Sequence, residues 1–300
     1  MPSLSRTIIK KRVEQRISIQ LLKEMIIHVK SNDPNMWGEL KPRTFVADMV
    51  ILTLYHDLTG TNYIKIEKEI DFGYIISHNS LTHNAAVIRL TLQSWANQYV
   101  TLGDISDWTA AARQINFKDP IGKVHLWIDS TDLRLIGKSS VSRKDQSWSY
   151  KCNSSGQRYM AISDAKGKIR YLNGGYSPKV YDGDWLKINK NWVATKLHGA
   201  RIIADNHFEV GRNLGPEAVT FLVNYHETVG PQLNAAGGVH LTKDQVRFNK
   251  IHETARARVE SPFARLKNMF VALQKPWSES LLQQDYLVNI GCAVINCIKH

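Results

Sequence analysis

Apolar residues recur at helical spacing over residues 16–30 (RISIQLLKEMIIHVK), at Ile19, Leu22, Met25, Ile26 and Val29. Positions three and four apart share one helix face, so this stretch is expected to be an amphipathic helix. It stops at Ser31-Asn32-Asp33-Pro34, a cluster of turn formers. A second helix is expected over 43–58, with Phe45, Met49, Leu52 and Leu54 among its apolar positions and Thr59-Gly60 as its end. A short helix over 61–70 follows, with Thr61 or Asn62 as N-cap. Then come a tight turn at Asp71-Phe72-Gly73 and a longer helix over 79–98, capped by Asn79 or Ser80. Short helix, Gly-containing turn and second helix resemble a helix-turn-helix (about 61–98). An ordinary helical bundle explains the same pattern.

From residue 123 the period changes from helical to alternating. VHLWIDSTDLRLI (124–136), QRYMAISD (157–164) and KIRYLNGG (168–175) read as strands, with Ala165-Lys166-Gly167 as a hairpin turn. YDGDWLKINKNW (181–192) reads as a helix. ARIIAD (200–205) is a short apolar run ending in Asp, as in a buried strand, and AVTFLV (218–223) is a further strand. Residues 223–243 form a loop or small insertion, and 245–272 and 279–298 are helical stretches. This order predicts an α/β fold with a mixed sheet over residues 123–300, preceded by an all-α region over residues 1–122.

The 300 residues suffice for one large domain or two ordinary ones, and 43% hydrophobic residues allow a real core. The formal charge is +12, which favours a polyanionic partner such as DNA, RNA or an anionic membrane. Residues 1–122 hold 14 Lys and Arg against 12 Asp and Glu; residues 123–300 hold 25 against 15. The excess therefore lies in the α/β part. Three cysteines (Cys152, Cys292 and Cys297) without CxxC spacing argue against a disulfide framework or a zinc site and fit a reducing compartment. The start lacks the apolar core of a secretory signal, and no run is long enough to span a membrane. Lys10-Lys11-Arg12 reads either as a nuclear import signal or as the solvated face of a helix.

Three acids stand out. Asp129 lies inside an apolar strand, where a charge is costly unless paired or bound to metal. Asp205 closes another strand, and strand ends of open α/β sheets are where ligands bind. Glu260 lies in NKIHETARARVESPFARLKN; on one helix, Asn249, Arg256, Glu260 and Lys267 share a narrow arc, apart from the stripe of Val259, Phe263 and Leu266. An Arg256–Glu260 salt bridge accounts for part of this; a metal-binding acid flanked by phosphate-holding cations accounts for all of it. Carboxylates gathered on neighbouring strands and a crossing helix suit hard divalent ions and phosphodiester cleavage. If the N-terminal helices bind DNA, the expected contacts are Ser77, His78, Asn79, Ser80, His83 and Arg89.

WIDSTDLRL (127–135), AISDAKGKIRYLNGGYSPKVYD (161–182), IIADNHF (202–208), NKIHETARARVESPFARLKNMFVAL (249–273) and YLVNIGCAVINCI (286–298) together resemble the DDE superfamily of transposases, specifically the PIF/Harbinger group and its bacterial IS5 relatives, over about residues 60–300. The spacing R-x3-E-x6-K recurs as Arg256, Glu260 and Lys267. The resemblance implies an RNase H-like fold and an endonuclease in which Asp129, Asp205 and Glu260 hold two Mg²⁺ (or Mn²⁺) ions. It further implies hydrolysis at transposon ends, then attack of the freed 3′-hydroxyl on target DNA. Arg256, Arg258, Lys267 and Asn249 become expected phosphate contacts. The expected partners are DNA, a second copy in a homodimer and a Myb-like DNA-binding protein, and the expected location is the nucleus in a eukaryote, otherwise the cytoplasm. Glu253, Ser130 and Asn206-His207-Phe208 depart from the family's pattern. Asp182 is expected to support the site structurally; Asp132 and Asp164 are not expected to be ligands. A domesticated descendant that binds DNA or protein without transposing, and a hydrolase using a carboxylate pair such as a glycosidase, remain as alternatives.

Overall fold

The computed structural model describes residues 4–32, 43–71, 76–113, 115, 117–136, 145–214, 219–225, 241–257 and 262–298. Arg258, Val259, Glu260, residues 72–73 of the expected turn and 226–240 of the expected loop lie outside them. The first part runs β1 (Leu4–Ser5), α1 (Arg6–Glu14), α2 (Ile19–Asn32), α3 (Arg43–Thr59), α4 (Tyr63–Glu69), β2 (Ile70–Asp71), α5 (His78–Ala96) and α6 (Ile105–Ala112), with β1 and β2 paired in parallel. The apolar stripe of α2 buries Leu22, Met25 and Val29, while Ile19, in its first turn, is exposed. Asn62 caps α4 by accepting from the Lys65 amide at 2.8 Å. Helix α5 starts earlier than its sequence suggests: the cap is Ser77, whose hydroxyl accepts from the Ser80 amide. The periodicity gave no sign of α1 or α6. Both are short, and α6 starts at a capping box between Asp104 and Asp107 and buries only Trp108, Ala111 and Ala112.

The second part runs β3 (Leu126–Arg134), β4 (Trp148–Ser149), β5 (Ser154–Asp164), β6 (Ile169–Tyr176), α7 (Asp182–Ile188), α8 (Lys190–Lys196), β7 (Ala200–Ile203), β8 (Val219–Leu222), α9 (Lys243–Ala257), α10 (Pro262–Met269) and α11 (Leu281–Cys297). Strands β6, β5 and β3 are antiparallel neighbours; β7 joins β3 in parallel and β8 joins β7 in parallel. Gly167, at φ +74°, turns the β5–β6 hairpin. The helix expected over 181–192 is two, α7 and α8, separated at Asn189. Of the stretch over 245–272, α9 and α10 are described on either side of residues 258–261; Asn249 and Arg256 lie on α9 and Lys267 on α10.

The sheet is covered on both faces. Even-numbered residues of β3 and β5 (Leu126, Ile128, Met160, Ile162) pack against Trp185 and Leu186 of α7 and Val193 of α8. On the other face Trp127 and Ile203 pack with Ala255 of α9, while Leu133, Tyr159 and Ala161 join α10, α11 and the N-terminal helices in one core. Helices give way to strands between α6 and β3, and one core holds residues from before and after that point. This mixed α/β arrangement is compatible with an RNase H-like domain. Among the described residues no helix is long and apolar enough to cross a membrane.

Arg89 corrects one expectation. Its side chain is fully buried, donating to Asp57 at 2.5 and 3.3 Å, to Glu279 at 2.6 Å and to the Tyr63 hydroxyl at 3.1 Å, with its guanidinium over the Trp277 ring. It ties α3, α4 and α5 to the chain entering α11, and a side chain with no exposed surface cannot touch a DNA phosphate. Of the other expected contacts in this region, Ser77, Asn79, Ser80 and His83 are exposed. His78 lies 2.7 Å from Glu67 and bridges α5 to α4.

Candidate active site

The parallel register between β3 and β7 pairs Leu126 with Ile202 and Trp127 with Ile203. Asp129 and Asp205 each lie two residues beyond that last pair. Because strand side chains alternate with period two, both follow the face of Trp127 and Ile203, which looks toward α9. Two acids 76 positions apart in the chain are thus brought to neighbouring strands, Asp129 inside β3 and Asp205 just past the end of β7. Asp129 lines an open cleft of about 430 Å³ together with Ser163, Ala204, Glu253, Arg256 and Pro262. Its Oδ1 accepts from the Ser130 amide at 2.8 Å. Asp205 is met by Arg256, whose Nη2 donates to Asp205 Oδ2 at 3.0 Å. Ala257 and Pro262, on either side of the segment holding Arg258 and Glu260, both line the cleft.

The opposite face of β3 carries a buried ionic network. Asp132 and Arg158 are direct cross-strand partners, with Arg158 donating through Nε and Nη2 at 2.7 and 3.1 Å and the Ser149 hydroxyl donating to Asp132 at 2.6 Å. Arg158 also stands 3.6 Å from Asp182, and Asp182 accepts from the Ser130 hydroxyl at 2.6 Å. Lys151 donates to that same hydroxyl at 3.0 Å and to the Ser130 carbonyl at 3.2 Å. Burial pulls the Arg158 guanidinium down, but Asp132 and Asp182 outweigh it and leave its pKa raised. The strand register is what makes Arg158 the cation beside Asp132.

Lys267 reaches β3 from α10, donating to the Thr131 hydroxyl at 2.7 Å and weakly to the Asp132 carbonyl at 3.4 Å. Burial lowers its pKa, with Asp132 and Asp129 opposing. Residues 130 and 131, next to Asp129, are therefore held from both faces of the sheet. His252 of α9 is buried behind the cleft with Nε2 2.8 Å from the Leu222 carbonyl, and burial lowers its pKa.

The Asn249 side chain accepts from the Tyr225 amide at 2.8 Å and donates to the Tyr225 carbonyl at 2.9 Å, so both ends of its amide clamp the chain after β8. Asp164 accepts from the amides of Lys166 and Lys168 and from Arg170, which makes it the cap of the hairpin turn. Glu253 faces the cleft; its departure from the family pattern was visible in the sequence, but its exposure to the site was not. Among the described residues no three His, Cys, Asp or Glu side chains form a metal-binding group.

Neither curated proteins nor solved structures gave a match. A family model described as DDE superfamily endonuclease matches residues 128–296, more than half of the chain. The match begins one residue before Asp129 and takes in Asp205 and α9 to α11. The chain belongs to the DDE superfamily of endonucleases.

Proposed function

We propose that this chain is a divalent-metal-dependent DNA endonuclease of the PIF/Harbinger type, a transposase that cuts transposon ends and joins the freed 3′-hydroxyl to target DNA. The observation that carries the reading is the β3–β7 pairing, which puts Asp129 and Asp205 on neighbouring strands, with Arg256 bonded to Asp205 and lining the same cleft as Asp129. The donor set fits the ions the reading requires: hard carboxylate oxygens on neighbouring strands, small side chains at Ser163 and Ala204 leaving room, and a third acid, Glu260, in the segment between two cleft-lining residues. Asp129, Asp205 and Glu260 would hold the ions. Bound there, divalent ions supply Lewis-acid stabilisation of phosphate charge and activation of an oxygen nucleophile.

The remaining chemistry belongs to the chain. Lys267 and the Ser130–Asp182–Lys151 contacts fix residues 130 and 131, directly after Asp129, from both faces of the sheet, which limits the freedom of its backbone. The +12 charge draws DNA to the protein. Ser77, Asn79, Ser80 and His83, exposed at the start of α5, are open to DNA. Joining two ends calls for a homodimer, and the resemblance adds a Myb-like partner and, in a eukaryotic host, a nuclear location. The test is nicking of supercoiled plasmid in Mn²⁺ or Mg²⁺. Asp129→Asn and Asp205→Asn should each lower the rate by at least about 100-fold, the loss of roughly 3 kcal/mol of transition-state stabilisation, without a change in melting temperature. Cleavage by either variant at the wild-type rate would overturn the assignment.

A further inference from the structure

We propose that Arg256 is a resident counter-cation for Asp205, displaced when a divalent ion binds and then available to a DNA phosphate. The inference rests on the endonuclease reading of the same cleft. Its basis is the contact itself: the guanidinium lies on the Asp205 oxygen that faces α9, at 3.0 Å, where a divalent ion would need ligand electrons. A carboxylate cannot give the same lone pairs to both at full strength, and a guanidinium beside a divalent ion is repelled by it. Arginine does not escape by losing its proton, so it must move.

The pair is built to open. The Asp205 side chain is 28% exposed and that of Arg256 49%, and the contact is a single hydrogen bond rather than a two-pronged fork. Such half-open pairs contribute about 0–1 kcal/mol, so they are displaced readily. Arg256 sits in the last turn of α9, where a cation is favoured by the helix carbonyls, so release from Asp205 does not strand it. It lines the cleft with Asp129, so the guanidinium leaves one acid while remaining on the wall along which a cleaved strand would lie. Its planar fork suits phosphate, and the contact with Asp205 takes up one of its five donors. Contrast Arg158, which grips Asp132 through two nitrogens in a buried setting and is not placed to let go.

Calorimetric titration of the DNA-free full chain with Mn²⁺ tests this directly. Arg256→Gln should bind Mn²⁺ about fivefold tighter than wild type, the upper end of what an exposed pair contributes. Arg256→Lys should stay within about twofold, because the competing charge remains. Arg247→Gln, which removes an exposed cation of the same helix away from the cleft, should leave the constant unchanged. A misfolded variant would lose affinity, so a gain cannot come from damage. For DNA the sign reverses: Arg256→Gln should bind duplex more weakly, with a salt slope smaller by about 0.9. In the wild type, the side-chain ¹⁵N resonance of Arg256 should shift on adding Mg²⁺ while that of Arg247 does not. An unchanged or weaker Mn²⁺ constant in Arg256→Gln, or an Arg256 resonance that does not move, overturns the proposal. Absence of saturable Mn²⁺ binding in the wild type would instead overturn the endonuclease reading itself.

Discussion

Replacing Arg89 with Met separates a structural role from a DNA-binding one. The guanidinium is fully buried and answers two carboxylates, Asp57 at 2% side-chain exposure and Glu279 at 13%. Met preserves much of the stem's volume but leaves those acids without their cation. Removing one partner of a buried pair costs about 3–5 kcal/mol, because the other charge stays buried. With an unfolding entropy of about 2.1 cal/mol/K per residue over the chain's length, about 4 kcal/mol lowers the apparent melting temperature by about 6 °C. The pH dependence adds a signature. In the wild type, burial pushes the Asp57 carboxyl up, but Arg89 and His56 more than offset it and hold its pKa below the usual value. That depressed pKa contributes stability above the unfolded value near 3.9 and loses it as pH falls through the folded value. In Arg89→Met, burial acts without Arg89, so Asp57 is penalised while ionised and relieved once protonated. The difference in melting temperature between the two proteins should therefore shrink as pH falls from 7 toward about 4. Thermal denaturation by circular dichroism at several pH values, with duplex binding against salt alongside, is the assay. A melting temperature within about 1 °C of wild type together with a smaller salt slope would refute the buried-cluster argument.

Three shorter predictions follow from the same structure. Asn249→Ala removes both hydrogen bonds to Tyr225 and should cost about 1–3 kcal/mol in chemical denaturation, with DNA affinity at the wild-type salt slope. Gly174→Ala would place a methyl carbon 2.0 Å from Cδ1 of Tyr159, whose hydroxyl is bonded to Asp285; the overpacking should cost about 1–3 kcal/mol, and a melting temperature equal to wild type would show that β6 shifts freely. His252 has a depressed pKa from burial, so its share of stability is present above the unfolded value near 6.5 and is lost as pH falls below it. His252→Gln should flatten the stability profile between about pH 7 and 5, read as denaturation midpoints; an unchanged slope would place the loss in another group.

Hydrophobic periodicity alone marked most of the helices and strands, because burying one face imposes a period of 3.6 or 2 on any element long enough to show it. Helices α1 and α6 each bury only two or three side chains, too few for a period to stand out, and the division at Asn189 is a local event that a periodic pattern runs straight through. Asp129 and Asp205 were legible as odd charges at apolar strands. Their being neighbours was not, since nothing in the chain states that β3 and β7 pair, or in which register. The same limit explains Arg89 and Asn249. Both are polar residues on helices and read as surface contacts, but whether a polar group meets water or a buried partner depends on what the rest of the chain lays against it. Residue type and spacing set which chemistry this protein can hold. Long-range packing decided which charges stand in the cleft, which are sealed beneath the sheet, and that Arg256 lies on Asp205, because these are contacts between segments far apart in sequence, created only when the helices close over the sheet.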